Sequence, residues 1–532
     1  MQILTTILSA VAAIAPLQIS VFNPKVPVVL DREYNIISEL TVPSDGIATL
    51  DEVEFSVKGL PEEAVRTVRL VYAGTASAIP DRTTSIGIKA GSSKWGGGNP
   101  MWYSPSYVIE SDCVVPSGDE GGLFILHDGF PLVKGDNYFY VSLEVDSAAI
   151  TDLASTFEAE VGKVTVSGQS VSVSREGDTV RRLGVSVRNH GDDGVDSYRI
   201  PGLSTTPDGQ LVAVYDMRWN SSLDLVDDID VGMSRSFDGG LTWSPMETVL
   251  DMGDAGGLPE GQNGIGDPAV LVDETTGEMI VAAAWTHGLG GATGWWSARD
   301  GFDPIDTPQL MMAFSDGGGF FLTEPVNVTE QVKKREWKFS FQGPGRGITM
   351  KDGTLVFAYQ HQEGEDRMPW SGIIYSKDHG ETWHVSDSPV ANTTEAQVAE
   401  VEPGVLMLNM RNNEKTGRRV FTTSDLGKTW KAHPSDMTLR EPVCMASLIS
   451  GPEKGQLLFS NPDSDKSRDH MTVKMSLDGG ITWPYSLLLD EFSSWGYSCL
   501  SLIDKDTVGI LYESSTSQIL FQAVKISDII GN

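Results

Sequence analysis

The sequence has little cysteine, histidine and positive charge, and each shortage argues against a class of protein. The three cysteines are odd in number and far apart in 532 residues, so neither a disulfide framework nor a zinc-ligand spacing is visible. The 8 histidines show no metal spacing and no HExxH motif, so we expect no metal and no cofactor. Because 39 Lys and Arg face 73 Asp and Glu, the net charge of -34 disfavours nucleic acid and anionic membrane surfaces as partners.

Long apolar runs are also scarce, and the one that stands out is the N-terminal Met1–Ala15. Ala13-Ile14-Ala15 resembles a small-residue cleavage site, although no Lys or Arg precedes the run. We interpret residues 1–16 as a possible export segment, which would place the protein in the periplasm, on the cell surface or outside the cell. No later stretch approaches the ~18 apolar residues of a membrane span, so we expect no membrane insertion.

Glycine, by contrast, is abundant, and part of it lies in a recurring octapeptide. Each copy has a hydroxyl residue, an Asp two positions later, a Gly two after that, and then Thr-Trp. Good copies occur at Ser236–Trp243, Ser376–Trp383, Thr423–Trp430 and Ser476–Trp483, and a worn copy at Phe314–Phe321. The hydroxyl and carboxylate can bond nearby backbone N–H groups, while Gly supplies the turn and Trp packs on the core. The pattern predicts β-hairpin turns in a repeat architecture.

A second periodic signal is a turn followed by a short apolar strand. It begins at positions 209, 277, 353, 404, 455 and 506, with gaps of 68, 76, 51, 51 and 51 residues. The octapeptides fall between consecutive members of this set. One strand and one hairpin turn per period, six times over, predict a six-bladed β-propeller. We expect residues 518–526 and 179–187 to close the ring.

The preceding part of the chain, residues 17–172, contains no octapeptide. Its short apolar runs between Gly, Pro and Asp turns predict a β-sandwich, of a carbohydrate-binding kind. Trp95 and Trp102 could form a sugar platform or could simply pack in the sandwich. The composition of residues 168–178 predicts a linker, or alternatively a strand. The predicted fold is therefore all-β, with a sandwich before a propeller at 173–532.

Several arginines follow the ends of the predicted propeller strands. Strand one runs into Arg218, strand four into Arg411, and strand five is followed by Arg468, while Arg199 lies just before strand one. A single exposed Arg is usually a solvated surface residue. Several at matching ends of different blades, in so acidic a chain, indicate a clamp for a carboxylate or phosphate.

Three stretches resemble a known family. YRIP at Tyr198–Pro201, TEAQVAEVEPGVLMLNMRNN at Thr394–Asn413 and WGYSCLSLIDKDTVGILYE at Trp495–Glu513 are similar to the bacterial and animal exo-α-sialidases, also called neuraminidases. The resemblance covers the whole propeller. The N-terminal part resembles the sandwich that precedes the propeller in gut-bacterial, Bacteroides-type sialidases.

The resemblance implies an arginine triad that grips the carboxylate of sialic acid. It assigns this role to Arg199, Arg411 and Arg468, the last on order and spacing alone. Glu513 would hold Arg199 in place. Further residues implied to touch the substrate, at its 4-hydroxyl and N-acetyl region, are Arg218 and Asp267.

The resemblance also implies a catalytic set: Asp224 as general acid and base, Tyr497 as nucleophile and Glu395 as its base. A neutral phenol suits this reaction because the anomeric carbon carries a carboxylate, which would repel an Asp or Glu nucleophile. Phenol is a poor nucleophile at its free pKa near 10, so an adjacent carboxylate must take its proton. Each residue also has a structural interpretation, as a strand Tyr or a loop charge.

The function implied is a retaining exo-α-sialidase that hydrolyses terminal non-reducing sialic acid from glycoproteins, glycolipids, mucins and oligosaccharides through a sialyl-tyrosine intermediate. Sialidases are a known exception to two-carboxylate glycosidases. Two alternatives stay open. A trans-sialidase would use the same site to transfer the sugar. A non-catalytic sialic-acid-binding propeller could keep the arginines but would not need Asp224, Glu395 and Tyr497 together.

Overall fold

The computed structural model describes residues 18–75, 107–110, 122–225, 227–288, 294–316 and 325–531. The possible export segment 1–16 and the aromatic residues Trp95 and Trp102 lie outside these ranges. The described residues are almost entirely strands and turns, as predicted, and their helices are short: Gly294–Ser297, Thr329–Val332 and Ile526–Gly531, with 3-10 turns at Glu62–Ala64, Ser147–Ala149, Asp192–Gly194, Ala255–Gly257 and Glu260–Gln262. None of the described helices is long and apolar enough to cross a bilayer.

The N-terminal part folds as two packed sheets, which confirms the predicted sandwich. One sheet has the strand order Gln169–Gly177, Gln18–Asn23, Ile36–Ser44, Gly135–Val145, Val65–Gly74 and Tyr107–Glu110. The other contains Gly122–Pro131, Thr49–Lys58 and Thr156–Val166. Alternate residues of both sheets, among them Leu40, Val53, Phe55 and Phe139, are buried between them.

Residues 169–177 form a strand and not a linker. This strand pairs in parallel with Gln18–Asn23 and antiparallel with Thr156–Val166. The alternative prediction, a strand, is therefore the one that the structure confirms, and Val and Ser alternate along it. Because the next strand, Val180–Arg188, pairs with both Thr156–Val166 and the last propeller strand, the hydrogen-bonded sheet runs without interruption from sandwich to propeller.

The rest of the described chain forms five separate sheets, mostly antiparallel, and a sixth group of strands that continues the sandwich sheet; these are the predicted propeller blades. The strands of each blade follow one another in chain order from the centre outward. Blade one has Ser197–Thr205, Leu211–Arg218, Ile229–Ser236 and Glu247–Leu250, and blade two has Ile265–Val272, Met279–Trp285, Gln309–Phe314 and Val326–Asn327. Blade three has Ser340–Gln342 with Ile348–Thr349, then Leu355–Glu363, Met368–Ser376 and His384–Val385. A short strand, Gly345–Arg346, pairs with blade two.

Blades four and five are Thr393–Glu402, Val405–Asn412, Arg419–Thr423 and Lys431–Ala432; and Ser447–Ser450, Leu457–Pro462, Met471–Ser476 and Tyr485–Asp490. Blade six takes Ser498–Leu502, Thr507–Tyr512 and Ile519–Lys525 from the C-terminus. Its fourth strand is Val180–Arg188, with Val28–Val29 beside it. This pairing of the two ends of the propeller closes the ring as predicted.

The octapeptides form the turns between the third and fourth strands of four blades. In the copy of blade three, Gly380 N–H donates to Ser376 Oγ at 2.9 Å, and Thr382 N–H donates to Asp378 Oδ1 at 2.9 Å. Gly380 has φ 90° and its Cβ would lie 2.9 Å from the ring of Phe314, so only glycine fits. The buried ring of Trp383 packs near Phe357, which confirms the predicted role of each position.

Candidate active site

The functional side chains lie on one face because of strand direction. The apolar strands that the sequence pattern located are the second strand of each blade, not the innermost one. Since neighbouring strands are antiparallel, the start of each first strand and the end of each second strand lie at the same face. Arg199 and Glu395 come from the starts of first strands, and Arg218 and Arg411 from the ends of second strands.

Irregular backbone at the starts of the first strands aims these side chains inward. The register shifts between Arg199 and Gly202, between Gly266 and Ala269, and between Thr393 and Ala396. Such bulges redirect side chains next to active sites. Ile200 inside the first of them has φ 57°, a conformation that costs a β-branched residue about 1–3 kcal/mol.

Arg199 is buried and is held by carboxylates from two directions. Its Nε donates to Glu513 Oε1 at 2.9 Å, and its Nη1 donates to Asp224 Oδ1 at 3.1 Å. Glu513 also accepts hydrogen bonds from the N–H groups of Ile200 and Tyr497, at 3.1 and 2.9 Å. Within the described part of the chain, Nη2 of Arg199 is buried with no hydrogen-bond acceptor. That donor is suited to an anionic group entering the site.

Tyr497, Glu395 and Arg411 form a second group. The hydroxyl of Tyr497 donates to Oε1 of Glu395, and Nη1 of Arg411 donates to Glu395 Oε2 and, at 3.2 Å, to the hydroxyl oxygen of Tyr497. Burial and the charge of Glu395 raise the pKa of Tyr497 well above its usual value, although Arg411 and Arg468 oppose this. Tyr497 is therefore a neutral phenol whose proton already points at a carboxylate.

Arg468, placed by order and spacing alone, lies beside the other two arginines. The guanidinium carbons of Arg199 and Arg468 lie 5.4 and 5.7 Å from the centre of the Tyr497 ring. Arg468 donates to the backbone carbonyls of Trp495 and Val443, at 3.0 and 3.2 Å. The three arginines therefore lie around one tyrosine.

Asp224 lies at the open side of this group, with 64% of its side chain exposed. Its Oδ1 accepts hydrogen bonds from Nη1 of Arg218 at 2.7 Å and from Arg199. Desolvation raises the pKa of Asp224, but the positive charges of Arg218 and Arg199 outweigh it and hold the pKa at about 2. Asp224 is therefore an ionised carboxylate at neutral pH in this structure.

Arg218 is completely buried, and its guanidinium is engaged by protein groups. It donates to Asp216 Oδ2 through Nε and Nη2, at 3.0 and 2.8 Å, and to the carbonyl of Ser222 and the carboxylate of Asp224 through Nη1. We therefore favour a role for Arg218 in holding Asp224 in place, rather than the predicted contact of Arg218 with the 4-hydroxyl of the substrate.

Asp267 lies next to this pair, on the first strand of blade two. Its N–H donates to Asp216 Oδ1 at 2.8 Å, and its backbone has φ 55°. Desolvation, and then the negative charges of Asp216 and Glu395, raise the pKa of Asp267 well above its usual value. A carboxyl group shifted toward its neutral form can donate a hydrogen bond to a sugar hydroxyl.

Two residues of the site were not identified from the sequence. Asp216 connects Arg218 with Asp267, and the half-buried Trp495 lies under Arg199, with the guanidinium carbon 4.4 Å from the ring centre. Asp216 could have been found, because it precedes Arg218 by two residues in a strand and so shares its face. No comparable spacing indicates Trp495. Among the described residues, no group of three or more His, Cys, Asp or Glu side chains is arranged to hold a metal ion.

Comparison with known proteins identifies the family of the chain. A model described as a BNR repeat-like domain matches residues 209–510, and one described as the N-terminal domain of BNR-repeat neuraminidase matches residues 17–170. A sialidase of Bacteroides fragilis is 46% identical over 528 residues, which cover 96% of this chain and 95% of the relative. The chain belongs to the BNR-repeat neuraminidases. It is thus a glycoside hydrolase of the sialidase type.

Solved sialidase structures share the fold of this neuraminidase. The Hadza microbial sialidase Hz136 superposes with a TM-score of 0.86 at 48% identity, over 96% of this chain and 100% of that one. The sialidase of Trypanosoma rangeli superposes with a TM-score of 0.52 at 22% identity, over 66% of this chain and 57% of that one. The second likeness supports the propeller fold alone.

Proposed function

We propose that this neuraminidase is a retaining exo-α-sialidase that removes terminal non-reducing sialic acid through a covalent sialyl-tyrosine intermediate. The observation that carries the proposal is the hydrogen bond from the Tyr497 hydroxyl to Glu395, with Arg411 on the same hydroxyl oxygen. The proposed nucleophile, its base and one arginine of the proposed carboxylate clamp would thereby act within one hydrogen-bonded group.

The carboxylate of the sugar would bind to Arg199, Arg411 and Arg468. Charge-assisted hydrogen bonds from three guanidinium groups fix both the position and the face of the ring. The buried Nη2 of Arg199 and Nε of Arg411, which have no acceptor among the described residues, are the donors best suited to this role. Tyr497 would then lie beneath the anomeric carbon, because its ring is surrounded by the same arginines.

In the first step, Tyr497 attacks the anomeric carbon while Glu395 takes its proton and Asp224 protonates the departing oxygen. In the second step, Asp224 takes a proton from water, whose oxygen attacks the anomeric carbon and breaks its bond to the Tyr497 oxygen. Glu395 returns its proton to that departing phenolate oxygen. Two displacements at one carbon retain its configuration. Asp267 and the pair of Asp224 with Arg218 would line another part of the site.

A pKa of about 2 makes Asp224 a poor acid before substrate arrives. We propose that the substrate carboxylate corrects this. By binding Arg199 it would compete with Asp224 for that guanidinium and neutralise part of the positive field that lowers the pKa of Asp224. The acid would thus become protonated when the substrate binds.

The substrates proposed are sialylated glycoproteins, glycolipids, mucins and oligosaccharides. We also propose export of the chain, on the basis of the apolar segment 1–16. We further propose a division into a sandwich at 17–172 and a catalytic propeller at 173–532, a boundary that falls inside the strand Gln169–Gly177. The uninterrupted sheet across this boundary indicates that the two parts are rigidly joined.

The covalent step is tested with 2,3-difluorosialic acid, whose fluorines slow breakdown of a sialyl-enzyme. We expect an adduct of one sialyl group per chain by intact mass, located on Tyr497 by peptide mapping. Arg419→Ala serves as a control because the half-buried Arg419 pairs with Asp436 and not with the residues of the site. An adduct on another residue would reassign the nucleophile, and rapid inhibition without any adduct would contradict the covalent step.

A further inference from the structure

The segment between the last strand of blade five and the first strand of blade six, residues 491–497, carries Tyr497. Its second residue, Phe492, is 1% exposed. The ring is buried in a cluster with Val26, Val71 and Tyr140, and the side chains packed around that cluster come from residues 22–73. A side chain from the propeller is therefore inserted into the N-terminal sandwich.

Backbone contacts hold the same segment to the sandwich. The N–H of Glu491 donates to the carbonyl of Lys25 at 2.9 Å, and the N–H of Lys25 donates to Glu491 Oε1 at 2.9 Å. A reciprocal pair of this kind fixes two segments of the chain relative to each other in both distance and direction. Phe492 is the next residue, so its ring enters the sandwich from a fixed point.

A second contact of the sandwich reaches the loop after Glu513. Arg32 donates to the carbonyl of Thr516 at 2.8 Å and to Ser517 Oγ at 2.7 Å. Asp490 connects this loop with the first one, because it accepts hydrogen bonds from Ser514 and Ser515. The stretch Lys25–Arg32 therefore holds the loops next to both Tyr497 and Glu513.

The five-residue path from Phe492 to Tyr497 is itself constrained. The N–H of Ser494 donates to the carbonyl of Arg468 at 2.9 Å, and the carbonyl of Trp495 accepts from Nη1 of Arg468 at 3.0 Å. Gly496 has φ 85°, and a Cβ there would lie 2.9 Å from Pro462. A displacement of Phe492 would consequently also displace Arg468 and Tyr497.

We propose that the N-terminal sandwich completes the active site by positioning the segment 491–497, which carries Tyr497, with Phe492 and Arg32 as positioning residues. The inference rests on the proposed role of Tyr497 as nucleophile. Covalent catalysis needs the attacking oxygen close to the anomeric carbon, and a displacement of about 1 Å can cost on the order of 100-fold in rate. The sandwich is thus part of the catalytic unit, whatever it binds elsewhere.

The test uses Phe492→Ala, Phe492→Leu and Arg32→Ala in the full chain, with kcat and KM on an aryl α-sialoside and with Tm. We expect Phe492→Ala to lower kcat about 10- to 100-fold, Arg32→Ala to lower it about tenfold, and Phe492→Leu to restore most of the loss. The matched control is Phe55→Ala, which removes a buried ring from the sandwich core away from the loop. It should lower Tm but leave kcat within about twofold.

Two results would overturn the inference. One is a folded Phe492→Ala with kcat within about twofold of wild type, and the other is an equal loss of kcat in Phe55→Ala. If Phe492→Ala does not fold, Arg32→Ala decides, and wild-type kcat in that variant overturns the inference. Tyr497→Phe is measured alongside. Activity retained there would refute the proposed function itself, whereas an inactive Tyr497→Phe beside a fully active Phe492→Ala would refute the positioning role alone.

Discussion

The hydroxyl of Tyr497 donates a hydrogen bond to Oε1 of Glu395, and each residue is only 7% exposed. A buried phenol beside a carboxylate is costly unless the two share a proton, so the pair must be held by its surroundings. Arg411 provides that support by bonding to both partners. The same three side chains are the ones that the proposed reaction needs in contact.

Replacing Arg411 by alanine should remove one of the three guanidinium groups proposed to bind the substrate carboxylate, and also the hydrogen bond that Arg411 donates to Glu395. We expect kcat/KM to fall by roughly 30- to 1,000-fold, which corresponds to about 2–4 kcal/mol, because a charge-assisted bond to the substrate is lost. Steady-state kinetics on an aryl α-sialoside measures this. Arg419→Ala, on the neighbouring strand, should keep kcat/KM near wild type. Near-normal kcat/KM in Arg411→Ala would remove Arg411 from the site.

Replacing Asp224 by alanine should affect substrates according to their leaving groups. Sialosides with a sugar leaving group need a proton on the departing oxygen, whereas aryl sialosides need little help. We therefore expect a loss of kcat/KM about 100-fold larger for sialyllactose than for a nitrophenyl sialoside. Equal losses on the two substrates would assign Asp224 a structural role.

The low pKa of Asp224 predicts that binding of a sialic acid carboxylate takes up a proton. With a pKa of about 2, below the ordinary range of an aspartate side chain, Asp224 is still ionised at about pH 4 in the free protein. Competition for Arg199 raises its pKa in the complex, so the complex holds more protons and affinity should rise as pH falls toward about 4. Calorimetry of sialic acid binding in buffers of different ionisation enthalpy measures the uptake. Asp224→Asn should abolish it, and zero uptake by wild type would contradict the proposed exchange.

Replacing Asp216 by asparagine should destabilise the protein through Arg218. Both side chains have 0% exposure, so loss of the carboxylate leaves a buried guanidinium with only partial compensation. Removing one partner of a buried ion pair costs about 3–5 kcal/mol, and Asp216→Asn should approach that range in urea unfolding. Asp465→Asn, at an exposed position, is the control. A change below about 1 kcal/mol would show that Arg218 does not depend on Asp216.

The repeated turns and strands could be predicted because each one is encoded locally. In Ser376–Trp383, the side chains of Ser376 and Asp378 bond to each other and to groups of Gly380 and Thr382, so the octapeptide specifies its own turn. The apolar strands are similarly marked by a turn and an uninterrupted run. Residues 169–177 were ambiguous because most side chains of this strand are exposed, so it can be rich in serine and charge and still pair in the sheet.

The site was only partly predictable, because its finer contacts join distant parts of the chain. Strand ends brought Arg199 and Arg411 to the same face, and that convergence follows from the repeat. The contact of Arg199 with Glu513 joins the first and the last blade, and no spacing rule describes it. The contact between Lys25 and Glu491 spans 466 residues of sequence, so only the folded chain reveals it.

The most direct test of the covalent mechanism compares wild type with Tyr497→Phe on an aryl α-sialoside, with the released sugar followed by NMR from the first seconds. We predict that wild type releases the α-anomer and that Tyr497→Phe loses most of the activity. Binding without release would indicate a lectin, and an anhydro or transferred product would indicate a trans-sialidase. Initial release of the β-anomer, or a Tyr497→Phe variant as active as wild type, would contradict a retaining reaction through Tyr497.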